Sequence, residues 1–365
     1  MKVVLTGGHL SPALAVIEKL KKDEVFFIGR KNTFEGDNAV SLEYAEITKL
    51  NIPFFSLTSS RLQRTLTKHT FISLSKLPVG FYQAIKILRK INPDVVLGFG
   101  GYVSLPVILA AYSLKVPVVI HEQTFQAGFA NKIASKFAKK ICISWDSSHA
   151  FFSKDKTVLT GNPLRKNVID IKNTKKTKNK VPLIYITGGS AGSHAINLYV
   201  EQNLEKLLEK YKVIHQTGDS KEYSDYNRLE EKKKALPEFL SKNYTLIKFV
   251  SPHKAAEFIN AADLVVGRAG INTVTELIYL EKPAFLIPLE SGQRNEQLKN
   301  ARFLKSAGLG EFSLQSVLTD DEFIYIIDKM LNNLEDYKIA NKFFVLNAAE
   351  RIVEVLRNVS EKKAA

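Results

Sequence analysis

Residues able to bind a phosphate are concentrated in one stretch, 263–301, with the sequence DLVVGRAGINTVTELIYLEKPAFLIPLESGQRNEQLKNA. A short apolar strand and a glycine turn there precede a predicted helix that begins at about Ile271, with Asn272 or Thr273 as its capping residue. A helix N-terminus after a glycine turn directs amide donors and the positive end of the helix dipole at an anion. We therefore expect this turn to bind a phosphate.

Two polar residues extend this site towards the rest of a nucleotide. Glu276 lies just over a turn inside the predicted helix, where a carboxylate can accept both hydroxyls of a ribose. Gln297 follows the next strand and can return to the same edge of the sheet. Phosphate donors beside a ribose-binding carboxylate predict a nucleotide site, although an ordinary βαβ unit with a glycine turn has the same pattern.

Three more glycine turns follow predicted strands, at 6–9, 98–102 and 188–193. Turns at the carboxyl ends of parallel strands are where ligands bind in open α/β sheets. The first turn lacks the full G-x-G-x-x-G fingerprint of dinucleotide-binding proteins. It contains His9, which is a candidate catalytic group, although a lone histidine in a turn is more often incidental. The last turn can hold a pyrophosphate with its amides and Ser190.

A polar cluster follows the predicted strand Val116–Ile120, where His121-Glu122-Gln123-Thr124 comes at the carboxyl end. Four consecutive polar residues at such a strand end are typical of a ligand site in an open α/β sheet. The cluster therefore joins the glycine turns as a candidate part of the active site.

The elements that must position these residues repeat a β-turn-α pattern in both halves of the 365-residue chain. This pattern predicts an α/β protein with two doubly wound Rossmann-like domains that face each other across a cleft. We place an N-terminal domain at 1–165, a basic linker at 166–181 and a C-terminal domain at 182–340. The last residues, 341–365, are predicted to form a helix that can pack back on the N-terminal domain.

Charge and cysteine content narrow the class of protein. The formal net charge of +15 favours a polyanion, an anionic membrane face or phosphorylated substrates, without choosing among them. The single cysteine, Cys142, excludes an internal disulfide framework and suits a reducing cytoplasm. No apolar run approaches the roughly 20 residues of a membrane span, and the N-terminus is expected to be a strand, not a signal peptide.

The segment Arg61–Lys90 mixes cations with many apolar residues. A packed amphipathic helix would bury one apolar stripe, and the periodicity alone favours that interpretation. The surplus of apolar residues beside cations also fits a patch on an acidic lipid surface.

Eight motifs together resemble the MurG family, the lipid-intermediate N-acetylglucosaminyltransferases of peptidoglycan synthesis. They are TGGHLSPALAV from Thr6, PDVVLGFGGYVSLP from Pro93, VPVVIHEQ from Val116, TGNPLR from Thr160, ITGGSAGS from Ile186, HQTG from His215, RAGINTVTE from Arg268 and NEQLKNA from Asn295. The resemblance covers nearly the whole chain. It implies a GT-B glycosyltransferase of the family 28 type that moves N-acetylglucosamine from UDP to the 4-hydroxyl of undecaprenyl-diphospho-muramoyl-pentapeptide.

The resemblance also implies roles for matching residues. Glu276 is expected to bind the ribose hydroxyls, Val250 to lie beside the uracil and Gln297 to reach the sugar. The implied donor-binding residues are Thr6, Gly7, Gly8, Thr124, Asn131, Arg165, Ser190, Val250, Ile271, Asn272, Thr273, Val274, Thr275, Glu276 and Gln297. Those implied for the acceptor diphosphate are Gly100, Gly101, Tyr102 and Ser104.

Chemistry in this family is inversion by direct displacement, so the acceptor hydroxyl must lose a proton. His9 suits the role of base, and Glu122 is the competitor. Two departures from the family pattern affect the sugar and acceptor contacts: Val4 and Leu5 replace two glycines before Thr6, and Thr124 replaces an asparagine.

The resemblance further implies that 1–165 is the acceptor and membrane-association domain and that 182–340 is the UDP-sugar-binding domain. It also implies the partners and the location. We expect UDP-N-acetylglucosamine and the lipid-linked acceptor as substrates, no cofactor, and no obligatory metal, since the chain has no Asp-x-Asp. With this resemblance, the Arg61–Lys90 segment is expected to bind the anionic cytoplasmic face of the plasma membrane. No nucleic acid is expected as a partner. A UDP-sugar epimerase, a GT-B enzyme with another lipid acceptor and a non-catalytic basic binding protein are the alternatives.

Overall fold

A computed structural model describes residues 1–32, 40–57, 77–172, 179–189, 191–218, 223–290, 295–339 and 347–364. The chain forms two compact units. The first contains Met1–Arg165 and Val345–Ala365, and the second contains Lys166–Phe344.

The described strands of the first unit form one parallel sheet of seven strands in the order β3-β2-β1-β4-β5-β6-β7. The strands are β1 (Lys2–Thr6), β2 (Glu24–Gly29), β3 (Phe54–Ser56), β4 (Val95–Gly98), β5 (Val118–Glu122), β6 (Lys140–Ile143) and β7 (Thr157–Leu159). The described helices of this unit are α1 (Leu10–Ile17), α2 (Leu42–Lys49), α3 (Leu77–Ile91), α4 (Ser104–Ser113) and α5 (Phe129–Ala134), with a 3₁₀ helix at Asp146–Phe151 and a helix at Ala348–Ala364.

Both faces of this sheet are covered, as a parallel sheet requires. Val3 and Leu5 contribute to a core with α1 and the helix Ala348–Ala364, in which Ile352 and Leu356 are fully buried. Val4, between them, contributes to the core beneath α3 and α4 on the other face. The helix at the end of the chain is therefore an integral layer of the first unit.

In the second unit, six described strands form a parallel sheet in the order β10-β9-β8-β11-β12-β13. The strands are β8 (Leu183–Thr187), β9 (Lys212–Gln216), β10 (Tyr244–Ile247), β11 (Leu264–Gly267), β12 (Ala284–Leu286) and β13 (Gly310–Phe312). The helices are α6 (Lys166–Ile171), α7 (His194–Gln202), α8 (Leu204–Lys210), α9 (Asp225–Ala235), α10 (Glu238–Ser241), α11 (Pro252–Ala261), α12 (Ile271–Leu280), α13 (Glu296–Ser306) and α14 (Asp320–Asn332), with a 3₁₀ helix at Leu334–Asp336. The helix Ala348–Ala364 of the first unit is α15.

The start of the predicted linker 166–181 differs from the prediction. Lys166–Ile171 is the helix α6, with Val168 fully buried, and α6 packs against α11. Just beyond it, Lys172 forms an ion pair of 3.0 Å with Glu281. The buried Val168 could not be predicted, because the residues around it are rich in lysine. Residues 173–178 lie outside the described part of the chain.

The basic segment Arg61–Lys90 lies partly outside the described residues, which resume at 77. Its described part is α3, which buries Ala84 and Leu88 but leaves Val79 and Tyr82 about half exposed. Packing therefore accounts for only one stripe of its apolar residues. Among the described residues, no helix combines the length and the apolarity that a membrane span requires.

Candidate active site

The first two glycine turns form a single structure at the carboxyl edge of the first sheet. They follow β1 and β4, which are neighbours in the sheet. The Gly8 N–H donates to Gly100 O at 3.1 Å, and the Phe99 N–H donates to Thr6 O at 2.8 Å. Gly7 has φ of +135°, and a Cβ there would lie 2.7 Å from Gly100 O. Glycine is therefore required at position 7 both by backbone conformation and by the close approach of the two turns.

The predicted acceptor-diphosphate residues lie in the second of these turns, but they are not equally accessible. Gly100 and Gly101 have left-handed backbone conformations, and Tyr102 is half-buried. Ser104 is fully buried, and its hydroxyl donates to Gly101 O at 2.8 Å. The prediction that Ser104 contacts the diphosphate is therefore not supported, since this hydroxyl holds the turn.

His9 is the residue that immediately precedes α1, with an extended backbone and a half-buried side chain. Burial lowers the pKa of the imidazole, and the nearby Glu122 carboxylate partly opposes this effect. His9 is therefore neutral near pH 7 and can accept a proton.

The Glu122 carboxylate is buried and accepts four hydrogen bonds. Oε1 accepts from the backbone N–H of Thr124 at 3.0 Å and from its hydroxyl at 2.6 Å. Oε2 accepts from the Gly128 N–H at 2.9 Å and from Asn131 Nδ2 at 3.0 Å. A carboxylate with both oxygens engaged in this way organises the segment 122–131, which favours His9 over Glu122 as the base.

Thr124 and Asn131, both predicted to bind the donor, are parts of this network. Thr124 is buried, and its hydroxyl lies within hydrogen-bonding distance of Glu122 and of the Gln126 carbonyl. A direct sugar contact by Thr124 is therefore not supported. Asn131 Nδ2 also donates to His121 O at 3.1 Å, whereas its buried Oδ1 has no partner among the described residues.

His121 links the HEQT cluster to the neighbouring strand. Its Nε2 lies 3.1 Å from Ser144 Oγ and 3.3 Å from Gly161 O. Burial lowers the pKa of His121 to about 4, so it is neutral. The Gly161 contact belongs to the TGNPLR segment, which ends at the buried Arg165. The sequence interpretation gave neither Ser144 nor Gly161 a role, and no local pattern marks them.

In the second unit, α12 begins at Ile271 as predicted, but its cap differs. The N-cap residue is Gly270, with extended backbone and no capping by a side chain. Asn272 and Thr273 lie inside the first turn, so the prediction that either one caps the helix is wrong.

The implied donor-binding residues from Ile271 to Thr275 do not all have a backbone amide at the helix start. The Val274 N–H donates to Gly270 O at 3.0 Å, and Thr275 lies further inside the helix with its hydroxyl donating to Ile271 O at 2.7 Å. The first turn contains no acidic side chain. The start of this helix, at Ile271, is therefore its candidate anion-binding end.

Two residues of the stretch 263–301 that were not among the predicted donor-binding residues hold this turn in place. Asn300 Nδ2 donates to Ala269 O at 2.9 Å. Arg268 Nη1 donates to Ile287 O at 2.9 Å, and its Nη2 donates to Gln315 Oε1 at 2.6 Å. These contacts join segments that are up to 47 residues apart, and local spacing cannot predict them.

The candidate ribose and uracil residues are both buried, with Glu276 exposed by 6% and Val250 by 7%. Burial, with a smaller contribution from the Glu276 charge, raises the pKa of Tyr185 to about 12. Glu276 therefore lies within electrostatic range of β8, the strand that precedes the third glycine turn.

That turn is held by Gln216, the second residue of the HQTG motif. Gln216 Oε1 accepts from the Tyr185 hydroxyl at 2.7 Å and from the Thr187 hydroxyl at 3.1 Å. Its Nε2 donates to Gly189 O at 3.3 Å. The sequence interpretation gave Gln216 no role, and Ser190, the predicted phosphate ligand of the turn, lies outside the described residues.

Gln297 lies in the first turn of α13, after the segment 291–294 that is outside the described part. Its Oε1 accepts from the Leu289 N–H at 2.9 Å. The Gln297 side chain therefore contacts the loop after β12. Its Nε2 makes no hydrogen bond within the described part of the chain.

Models of protein families match both halves of the chain. The glycosyltransferase family 28 N-terminal domain matches residues 3–143, and the family 28 C-terminal domain matches residues 183–356. The chain belongs to glycosyltransferase family 28. The predicted α/β fold of the GT-B class and the predicted glycosyltransferase class of this enzyme are both confirmed.

Curated relatives are similar over their full length. The UDP-N-acetylglucosamine--N-acetylmuramyl-(pentapeptide) pyrophosphoryl-undecaprenol N-acetylglucosamine transferase of Clostridium botulinum strain Langeland is 33% identical, over 99% of this chain and 98% of that protein. The enzyme of the same name from Lachnoclostridium phytofermentans is 32% identical, over 99% of each chain. The predicted resemblance to the MurG family is therefore confirmed.

Solved structures agree with the fold. The crystal structure of Acinetobacter baumannii MurG has a TM-score of 0.68 at 25% identity, covering 98% of this chain and 99% of that one. A UDP-GlcNAc 2-epimerase from Neisseria meningitidis has a TM-score of 0.65 at 15% identity, covering 98% and 100%. The epimerase likeness shows the shared fold only.

Proposed function

We propose that this enzyme transfers N-acetylglucosamine from UDP-N-acetylglucosamine to the 4-hydroxyl of undecaprenyl-diphospho-N-acetylmuramoyl-pentapeptide, a step of peptidoglycan synthesis. The observation that carries the proposal is the match over 99% of the chain to relatives named for this activity. The proposal uses His9, which immediately precedes α1, and Glu276, which lies inside α12.

The donor is proposed to bind mainly to the second unit. The first turn of α12 holds the diphosphate, since a helix N-terminus without an acidic residue favours an anion. Glu276 accepts the ribose hydroxyls, the backbone of Val250 pairs with the uracil, and Gln297 Nε2 donates to the sugar.

The reaction is a direct displacement with inversion at the anomeric carbon. The acceptor 4-oxygen forms the new bond to that carbon while the bond to the UDP oxygen breaks. The hydroxyl proton passes to the neutral imidazole of His9, and the charge of the leaving UDP is stabilised by the helix amides.

Glu122 is proposed to support this step without accepting the proton. Its negative charge raises the pKa of His9, so it stabilises the imidazolium that forms during transfer. It also fixes the segment 122–131 through four hydrogen bonds. No metal is proposed. Within the described residues, no three His, Cys, Asp or Glu side chains are grouped as a metal site requires.

We further propose that α3 rests on the anionic cytoplasmic face of the plasma membrane, as a peripheral contact. Its exposed Val79 and Tyr82 supply apolar area, and Lys86, Arg89 and Lys90 supply positive charge. Basic residues contribute about 1 kcal/mol each near such a surface. Membrane binding would place the enzyme where its acceptor, which is itself a lipid, is located. No nucleic-acid partner is proposed.

An acceptor-dependence assay separates this proposal from the epimerase alternative, which shares the fold. The enzyme is incubated with UDP-N-acetylglucosamine, with and without a short-chain analogue of the lipid acceptor, and UDP release is followed. We expect UDP release only with the acceptor. Conversion of the nucleotide sugar to an epimer without any acceptor would overturn the proposal.

A further inference from the structure

A cavity of about 750 Å³ lies in the first unit between α15 and strands β5–β7. Lys115 and Pro117 line it just before β5, and Lys139 and Lys140 line it where β6 begins. These residues lie at the amino ends of the strands, whereas His9 follows the carboxyl end of β1 and Glu122 ends β5. The cavity is therefore separate from the candidate active site.

Positive charge dominates the lining of this cavity. Lys115, Lys139, Lys140 and Arg351 line it, against a single carboxylate, Glu354. Lys140 Nζ donates to the Asp155 carbonyl at 2.9 Å, and Arg351 Nη1 donates to the Leu159 carbonyl at 3.4 Å. Within the described part of the chain, none of the five forms an ion pair. Lys140 and Arg351 are therefore held by carbonyl groups, and the lining as a whole carries a net positive charge, which favours an anionic ligand.

The rest of the lining is largely apolar. Pro117 and Val158 contribute from the sheet, and Val355 and Val359 contribute from successive turns of α15. A small hydrophilic anion would leave these side chains uncovered, whereas a ligand with an apolar body would bury them. The volume lies within the range of about 300–1,000 Å³ that is typical of sites for drug-sized ligands.

We propose that this cavity binds an anionic phospholipid, with the phosphate beside Lys139 and Arg351 and the first part of the apolar chains against Val355 and Val359. A cation just before β6 and a cation on α15 then share one phosphate, so the ligand connects the last helix to the edge of the sheet. The proposal does not depend on the transferase reaction, since none of these residues belongs to the candidate active site.

Isothermal titration calorimetry tests this proposal with the full-length protein and dihexanoyl phosphatidylglycerol below its micelle concentration. We expect saturable binding at one site. Dihexanoyl phosphatidylcholine has the same apolar body but a zwitterionic headgroup, and it should bind about tenfold more weakly or worse, because one charge-assisted contact corresponds to at least that factor. Glycerol 3-phosphate, which has no apolar body, should also bind more weakly.

The variant K139Q/R351Q should weaken phosphatidylglycerol binding by about tenfold or more. The matched control K22Q/K136Q removes the same charge from positions outside both the cavity and α3 that are exposed, as Lys139 and Arg351 are, and it should bind as the wild type does. Equal binding by K139Q/R351Q and the control would overturn the proposal, as would absence of binding by the wild type. Binding of glycerol 3-phosphate as tight as that of the lipid would assign the cavity to soluble phosphates instead.

Discussion

Asn131 donates from Nδ2 to Glu122 Oε2 at 3.0 Å, and this contact completes a set of four hydrogen bonds to one buried carboxylate. Glu122 thereby determines the path of the chain from Gln123 to Asn131 beside the turn that carries His9. The two candidates for the base have different surroundings, since the imidazole is free to accept a proton whereas the carboxylate is already engaged.

The substitution E122Q tests this division of roles. An amide supplies only one oxygen and directs an NH₂ group at donors such as the Gly128 N–H, so we expect the segment 122–131 to move. The value of kcat should fall by about 10-fold to 100-fold, the effect of one lost hydrogen bond to a charged group. UDP affinity, measured by calorimetry, should not change. Unchanged kcat would contradict the role of this carboxylate.

The pH profile of E122Q gives a second, independent test. Burial lowers the pKa of His9, and the Glu122 charge partly raises it again. Activity requires neutral His9, so it is lost as the pH falls through this pKa. Removing the negative charge lowers the pKa further, and the acidic limb of kcat/KM should therefore shift to lower pH. A shift to higher pH, or none, would show that another group sets this limb.

The substitution H9A should reduce kcat by about 10²-fold to 10⁴-fold, the usual contribution of a general base. UDP affinity should remain as in the wild type, because the proposed donor contacts lie in the second unit. H9Q, which keeps a polar side chain of similar size but has no basic nitrogen, should be as slow as H9A. Substantial turnover by H9Q would exclude His9 as the base.

The substitution E276A should weaken UDP binding by about 1.5–3 kcal/mol, the range for hydrogen bonds to a charged group. The control E281A removes an exposed carboxylate just after the same helix, where it pairs with Lys172. UDP binding by the control should match the wild type. Equal effects of the two substitutions on UDP binding would contradict the proposed role of Glu276 in binding the ribose.

The turn that contains Gly7 and Gly8 provides a matched pair for stability. G7A places a Cβ 2.7 Å from Gly100 O at φ of +135°, and it should lower the free energy of unfolding by about 1–3 kcal/mol. A Cβ at Gly8 meets no atom within 4 Å, so G8A should change the free energy of unfolding by less than about 1 kcal/mol. Urea unfolding of the two variants measures the difference, and equal losses would contradict the packing of the two turns.

Membrane binding by α3 can be tested with vesicles that contain phosphatidylglycerol. The variant V79S/Y82S should reduce co-sedimentation by about tenfold, because it removes apolar area that would be buried in the lipid. The control F239S/Y325S alters exposed residues of the second unit and should sediment like the wild type. Equal sedimentation of all three proteins would rule out α3 as the contact.

Several parts of the site could be predicted from the sequence because they depend on local patterns. Apolar strands followed by glycine turns indicated the carboxyl edges of both sheets, and the start of α12 at Ile271 follows from the same pattern. The capping of that helix was predicted wrongly, because Asn272 and Thr273 have capping side chains but the backbone becomes extended at Gly270.

The remaining features depend on contacts between distant segments. The engagement of Glu122 depends on the path of the loop that brings back Gly128 and Asn131. The contact of Asn300 with Ala269 spans 31 residues. Similarly, the lysine-rich segment around Val168 has no apolar periodicity that predicts a helix, although Val168 is the fully buried residue of the helix α6. Only packing determines which of these polar residues face a ligand and which support the backbone.

The most direct test of the proposed activity is the structure of the product. The enzyme is incubated with UDP-N-acetylglucosamine and a short-chain lipid acceptor, and the glycosidic linkage of the purified product is determined by NMR. The account predicts a lipid-linked disaccharide with N-acetylglucosamine joined through a β linkage to the 4-oxygen of the muramoyl residue. An α linkage, attachment to another hydroxyl or an unmodified acceptor would contradict it.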